Sequence, residues 1–285
     1  MSTSRSRRGF TLLDLIVVML LMAILVGLLL VALNRERRPV HTVTMDSLKN
    51  MALAIHNAND VHKALPPLFG HYAKDGPALA SVHVHLMPFL EQTPIYLDFA
   101  AGKGNANAVV GLFRAHSDPS WEDGGAGVQN YAANLRVFSD AGRLPRYSAT
   151  VPALQRIHTC SVGIPDGFAD GTSNTMVFAT RYSVCGDGGS RYADDPTSRF
   201  AAAFGQLAAQ GPADGWHPDV TYEHAPLVAN CRPIPLGAQS YSERGLLVAM
   251  ADGSARTVSP RLSAETWNRA VHPQDGLGLG KDWDD

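Results

Sequence analysis

Between Phe10 and Leu33 the chain carries one charge, Asp14, and its apolar residues fall on every side of a helix rather than along one stripe. That is the pattern of a segment solvated by lipid. At 1.5 Å per residue the run makes a helix of about 36 Å, enough to cross a hydrocarbon core of about 30 Å. A transmembrane helix is expected over residues 10–33. Beyond it Pro39 and the β-branched stretch Val40 to Thr44 predict a kink or short break. A helical period returns from Met45 to about Val61, with Met45, Leu48, Ala52 and Ile55 on one face. Residues 34–64 thus read as the soluble continuation of the N-terminal helix, stopped at Leu65-Pro66-Pro67 because a residue before proline avoids the α region.

Residues 65–285 follow a different rhythm. A second helix is expected from His83 to Leu90, extending toward Phe99 and divided by Pro88 and Pro94. Strands are expected at Met176 to Ser183, Leu246 to Ala251 and Ala255 to Ser259, the last two flanking the turn Asp252-Gly253-Ser254 as a hairpin. The stretches 102–154 and 186–242 are rich in Gly, Ala and Pro with little periodicity and read as loop-rich insertions.

Composition agrees with many short strands joined by turns: 26 Gly, 18 Pro and only 18% charged residues. The fold class expected is α+β, a long N-terminal helix against a β-rich antiparallel domain. A formal net charge of -2 leaves no basic footprint for nucleic acid. Cys160, Cys185 and Cys231 lack metal or redox spacing, and in an oxidising compartment they allow one disulfide and one remaining thiol.

The leader narrows the picture. Arg7-Arg8-Gly9-Phe10-Thr11-Leu12, with Asp14 four residues into the apolar run, resembles the N-terminus of type IV prepilins and type II secretion pseudopilins. The resemblance implies a leader at 1–9, cleavage after Gly9 by a prepilin peptidase and methylation of the new N-terminal Phe10 by an N-methyltransferase. It places the N-terminus in the cytoplasm, residues 10–33 in the cytoplasmic membrane and the C-terminal domain in the periplasm or outside the cell. Partners would be other pilin-like subunits and membrane lipid. An acid at the centre of a span costs about 2.5 to 3.5 kcal/mol, less near an interface, so Asp14 needs a reason. Either it is tolerated one turn from the helix start, where the dipole favours a negative group, or, as the pilin resemblance implies, it pairs with the freed amine of Phe10 on a neighbouring subunit. The family has Glu there; Asp is one methylene shorter, a departure that bears on methylation and assembly rather than cleavage.

A wider resemblance covers nearly the whole chain. Ser47-Leu48-Lys49-Asn50, Leu65-Pro66-Pro67, Leu86-Met87-Pro88-Phe89-Leu90-Glu91-Gln92, Asp170-Gly171-Thr172-Ser173-Asn174-Thr175 and Ala249-Met250-Ala251-Asp252-Gly253-Ser254 stand in the order of the DUF1559 family. That family joins a prepilin-type N-terminus to a β-rich domain of uncharacterised function. Two positions depart from it: Ser242 stands where relatives have His, and Ala115-His116-Ser117-Asp118 replaces Cys-Pro-Ser-Asp.

Few residues invite catalytic readings. Asp170, Gly171, Thr172, Ser173 and Asn174, followed by Met176-Val177-Phe178, have the composition of a turn or cap leading into a buried strand. Asp252 and Gly253 belong to the hairpin turn. Some pseudopilins hold calcium in a C-terminal loop, and Asp187, Asp194 and Asp195 follow a Gly-rich turn here. Three acids fall short of the roughly six to eight oxygens calcium takes, and the spacing is not that of an EF-hand. His83 and His85 would share a face on a strand and diverge on a helix, and read as surface or interface histidines without a metal. No phosphate loop, dinucleotide fingerprint or nucleophile set is present in the sequence, so no cofactor and no enzymatic role are expected. The expected role is a structural, pilin-like subunit. The alternative is an anchored module that never polymerises and displays its domain toward a glycan, a protein or calcium.

Overall fold

The computed structural model describes residues 12–33, 40–121, 127–140, 158–195, 198, 200–205, 222–225, 227–232 and 237–284. It divides into two compact units, Met1–Pro39 and Val40–Asp285. The first contains helix α1, Leu12–Leu33, with Asp14 in its first turn. No helix among the described residues is long and apolar enough to cross a membrane, so the expected transmembrane helix over residues 10–33 is not shown. Gly9 and Phe10, and the junction containing Pro39, lie outside the described residues.

The second unit is an α+β domain. It opens with α2, Val40–His62. The break expected across Val40 to Thr44 is absent, because these β-branched residues are helical. Tertiary contacts override their modest propensity deficit: Thr44 is fully buried, its Oγ1 lies 3.0 Å from Ser117 Oγ, and His41 Nε2 lies 3.3 Å from Thr257 Oγ1. Thr44, Leu48, Met51, Ala52, Ile55, Ala58 and Asn59 make the buried stripe, spaced by three and four as an amphipathic helix requires. The helix ends at Lys63, which turns left-handed with φ 58°.

Eleven short strands follow among the described residues: β1 Phe69–Gly70, β2 Ala80–Ser81, β3 Tyr131–Asn134, β4 Met176–Thr180, β5 Val184–Cys185, β6 Gly188–Gly189, β7 Ala203–Phe204, β8 Glu223–His224, β9 Gln239–Ser240, β10 Leu246–Met250 and β11 Ala255–Val258. Five of them form the central sheet in the order β11-β10-β4-β3-β7, antiparallel except for the parallel β3/β7 pair. Between β2 and β3 lie α3 (Val82–Leu86), a 3-10 turn at Met87–Leu90 and α4 (Thr93–Ala100), so the expected second helix is three pieces cut where Pro88 and Pro94 stand.

Both faces of the sheet are covered, which is why β10 reads as an unbroken apolar run, Leu246-Leu247-Val248-Ala249-Met250. Leu247 and Ala249 join α2 in one core, while Leu246, Val248 and Met250 face the C-terminal helix Ala264–Val271 through Trp267 and Val271. On β4 the alternation slips once. Ala249 pairs with Phe178 and Met250 with Met176, leaving Val177 as the extra residue of a bulge, so Val177 and Phe178 both enter the α2 core.

The insertions expected to be loop-rich contain two strands of this sheet. Tyr131-Ala132-Ala133-Asn134 is central and wholly buried, and Ala203-Phe204 is an edge. Both are rich in alanine, whose low strand propensity hides them; partners on either side, not local preference, hold β3 extended. Cys185 and Cys231 form a disulfide, and Cys160, outside it, keeps a thiol that donates to the Val137 carbonyl at 3.6 Å.

Candidate functional site

Polar groups converge at three places in the second unit. The first is a knot around Asp118, which is only 6% exposed. Its Oδ1 accepts from the Ser120 N–H (2.8 Å) and Ser120 Oγ (2.7 Å); its Oδ2 accepts from the Ser183 N–H (2.9 Å), Ser183 Oγ (2.7 Å) and Asn130 Nδ2 (2.5 Å). Asn130 Nδ2 also reaches the Arg181 carbonyl, and Asn130 Oδ1 accepts from the Ala115 N–H. A buried carboxylate is tolerable when its lone pairs are filled in this way. Ser117, one residue before, meets Thr44 of α2, so Ala115 to Asp118 fastens α2 to the strand ends.

The second is the turn Asp170 to Thr175 that leads into β4. Gly171 adopts φ +95°, a left-handed conformation that favours glycine. Asn174 Nδ2 donates to the Asp170 carbonyl (2.7 Å), and Thr175 Oγ1 donates to the Gly171 carbonyl (3.2 Å). Thr172 is half-buried and Ser173 exposed. The Asp170 side chain points elsewhere: Oδ2 accepts from the Asp275 N–H (2.8 Å) and Oδ1 from the Gly276 N–H (2.7 Å), clamping a segment more than a hundred residues downstream.

One donor atom each from Asp170, His272 and Asp275 lies within 4.8 Å of the others, which makes this the only three-residue His/Cys/Asp/Glu group of metal-holding geometry among the described residues. Two carboxylates and an imidazole are a donor set for a transition metal rather than calcium. The hydrogen bonds argue for a clamp. Both Asp170 oxygens already accept backbone N–H groups, and His272 Nδ1 accepts from the Gln274 N–H at 3.1 Å, which assigns the ring proton of a neutral imidazole to Nε2. Desolvation of the Asp275 carboxyl, reinforced by the Asp170 carboxylate, raises it to about 6 against the pull of the Leu277 N–H and Arg269, although the residue as a whole is exposed. The calcium candidates do not converge: Asp187 is exposed at the β5–β6 turn, Asp194 Oδ2 accepts from Ser198 Oγ, and Asp195 lies half-buried beside it.

His83 and His85 are not surface histidines. α3 is buried along its whole length, and each ring is 1% exposed. Each Nε2–H donates to a carbonyl, His83 to Tyr131 (2.6 Å) and His85 to Gly70 (2.9 Å). Desolvation lowers both to about 4, so both are neutral at pH 7. Nothing in a His-x-His spacing distinguishes this from a wet face; the cue was Val82, Val84 and Leu86 interleaved with them.

The third place is an open groove of 640 Å³ beside β11, lined by Arg244, Ser254, Arg256, Thr257, Trp283 and Asp284 among others. At the head of the hairpin Gly253 has φ +88° and the Ser254 N–H donates to Asp252 Oδ1, so Asp252 and Gly253 shape the turn. Ser242, two residues after β9, accepts the Gly245 N–H on its carbonyl in the tight turn before β10. Asp14 sits in the first turn of α1, in the other unit.

This is an α+β domain in which Asp118 and Asp170 fasten distant segments to one another. Residues 45–264 match the model of the family described as "Protein of unknown function (DUF1559)", and the chain belongs to that family. Neither a curated protein nor a solved structure matches it.

Proposed function

We propose that the chain is a pilin-like structural subunit, stored in the cytoplasmic membrane through residues 10–33 after cleavage behind Gly9. One observation carries the reading: an apolar helix from Leu12 to Leu33, with Asp14 in its first turn, directly follows Arg7-Arg8-Gly9-Phe10. A helix with so apolar a surface all round is stable in lipid, and a lone acid near its start calls for a positive partner. The freed and methylated amine of Phe10 on a neighbouring subunit is that partner, and the domain that opens with α2 is the external part. Prepilin peptidase and an N-methyltransferase are the processing partners, and the role involves no catalysis.

Intact mass and N-terminal sequencing of the membrane-extracted protein test the reading, with Gly9→Leu as control. A mature chain beginning at methylated Phe10 is expected. A chain beginning near Met1 removes the pilin reading. If the subunits polymerise, Asp14→Ala abolishes filaments while Asp14→Glu keeps or improves them; equal behaviour of all three chains leaves a static anchor. The groove beside β11 favours a second reading, an anchored module that presents a binding surface outside the membrane.

A further inference from the structure

We infer that the free edge of β11, with the groove beside it, binds an extended acidic peptide segment of a partner protein by adding it as a strand to the central sheet. Among the described residues β11 is the end of the five-stranded sheet, so on its outer side alternate N–H and C=O groups face away from β10. Ala255, Arg256 and Thr257 are half-exposed, and the groove runs along them. A chain laid there meets both halves of the hydrogen bonding it needs.

The groove's side chains select the sign of the guest. Arg244 and Arg256 are cations, and Asp284 is the only acid among the lining residues. Trp283 is 7% exposed, yet its indole N–H has no hydrogen-bond partner among the described residues, and neither does the buried Ser254 Oγ. An indole N–H can only donate, and a guanidinium presents only donors. A guest rich in carboxylate and carbonyl oxygens answers all of them.

The chain's own tail already shows the complementarity. Asp282 accepts from Thr266 Oγ1 and from the Ser263 N–H (2.7 Å), and these bonds, the first above all, lower its carboxyl to about 2. Anchored there, the tail presents Trp283 under Arg256, with 5.8 Å from guanidinium to ring centroid, and Asp284 beside it at 3.9 Å. The Asp284 side chain is 90% exposed, so it occupies the donor site loosely and an external carboxylate can displace it. The inference is independent of polymerisation and survives an uncleaved leader.

The test uses the full chain in detergent micelles and an end-blocked, fluorescein-labelled peptide of alternating glutamate and valine, read by fluorescence anisotropy. Saturable binding is expected. Arg256→Ala and Arg244→Ala should each weaken it about tenfold, and Trp283→Phe, which keeps the packing but removes the N–H, about threefold. Circular dichroism of each variant separates a lost site from a lost fold. A peptide N-methylated at alternate residues should not bind, because strand addition needs its N–H groups. Equal binding of a lysine-valine peptide, or full binding of the N-methylated one, overturns the inference. So does failure of the acidic peptide to bind while vesicles of anionic lipid bind through the same arginines.

Discussion

Asp118 and Asp170 are both landmark aspartates at chain turns, and they solve opposite problems. Asp118 is sealed inside the domain and meets five donors, from Ser120, Asn130 and Ser183, where the 115–120 turn joins the ends of β3 and β4. Asp170 stays half-exposed, spends its carboxylate on two backbone N–H groups of a distant segment, and shares that space with a second acid, Asp275. The first fixes how strands meet; the second pins a loop. A carboxylate's contribution follows from what is left unpaired when it goes, not from how many bonds a drawing shows.

Removing Asp118 is therefore the largest expected effect. Asp118→Ala strands the Ser120 and Ser183 N–H groups and Asn130 Nδ2 in a buried site and should cost about 3 to 5 kcal/mol, read by urea unfolding of the solubilised protein. A cost under about 1 kcal/mol would show that water replaces the carboxylate and that the knot is not sealed.

Acid should loosen the same interior through a different residue type. Burial depresses His83 and His85 to about 4, below the ordinary 6.5, so the unfolded chain takes up protons first as pH falls. Stability should be full above about pH 6.5 and decline toward pH 4, by up to roughly 1.4 kcal/mol per pH unit for each histidine. Thermal melts across that window check the slope; a flat profile would mean the rings are solvated.

Asp170→Ala frees two N–H groups that water can reach, so a loss of about 1 to 2 kcal/mol is expected, with faster hydrogen exchange confined to residues 272–277. Exchange that quickens throughout β4 instead would make Asp170 part of the core, like Asp118. The smallest change is Asp275→Asn, and its sign is opposite. A carboxyl raised from 3.8 to about 6 is penalised in the folded state once ionised, so the native pair loses stability as pH climbs through that interval. The amide should stabilise the protein at pH 7 by less than about 1 kcal/mol after solvent screening, and should make the acid decline steeper.

The sequence carried the outline because some patterns are local. α2 announces itself through apolar positions spaced by three and four, the β10–β11 hairpin through two apolar runs around Asp252-Gly253-Ser254, and the cut second helix through Pro88 and Pro94. The Asp170 turn was legible too, since Asp, Gly and Asn before a buried run compete for local backbone groups. β3 was not: Tyr131-Ala132-Ala133-Asn134 has little strand signal, and its place between β4 and β7 comes from neighbours far along the chain. Of the groove, the hairpin was visible, but nothing local says that Trp283 returns to lie against Arg256.

What the sequence determined alone is the apolar run with its single acid, the amphipathic helix after it and the turn chemistry, because each depends on spacing within a few residues. Only the tertiary structure decided that Val40 to Thr44 is helical, that His83 and His85 are dry, that Asp118 is sealed while Asp170 is a clamp, and that donors gather beside β11. Those outcomes depend on which distant surfaces exclude water from a group, and desolvation is a property of the assembled neighbourhood rather than of any stretch of chain.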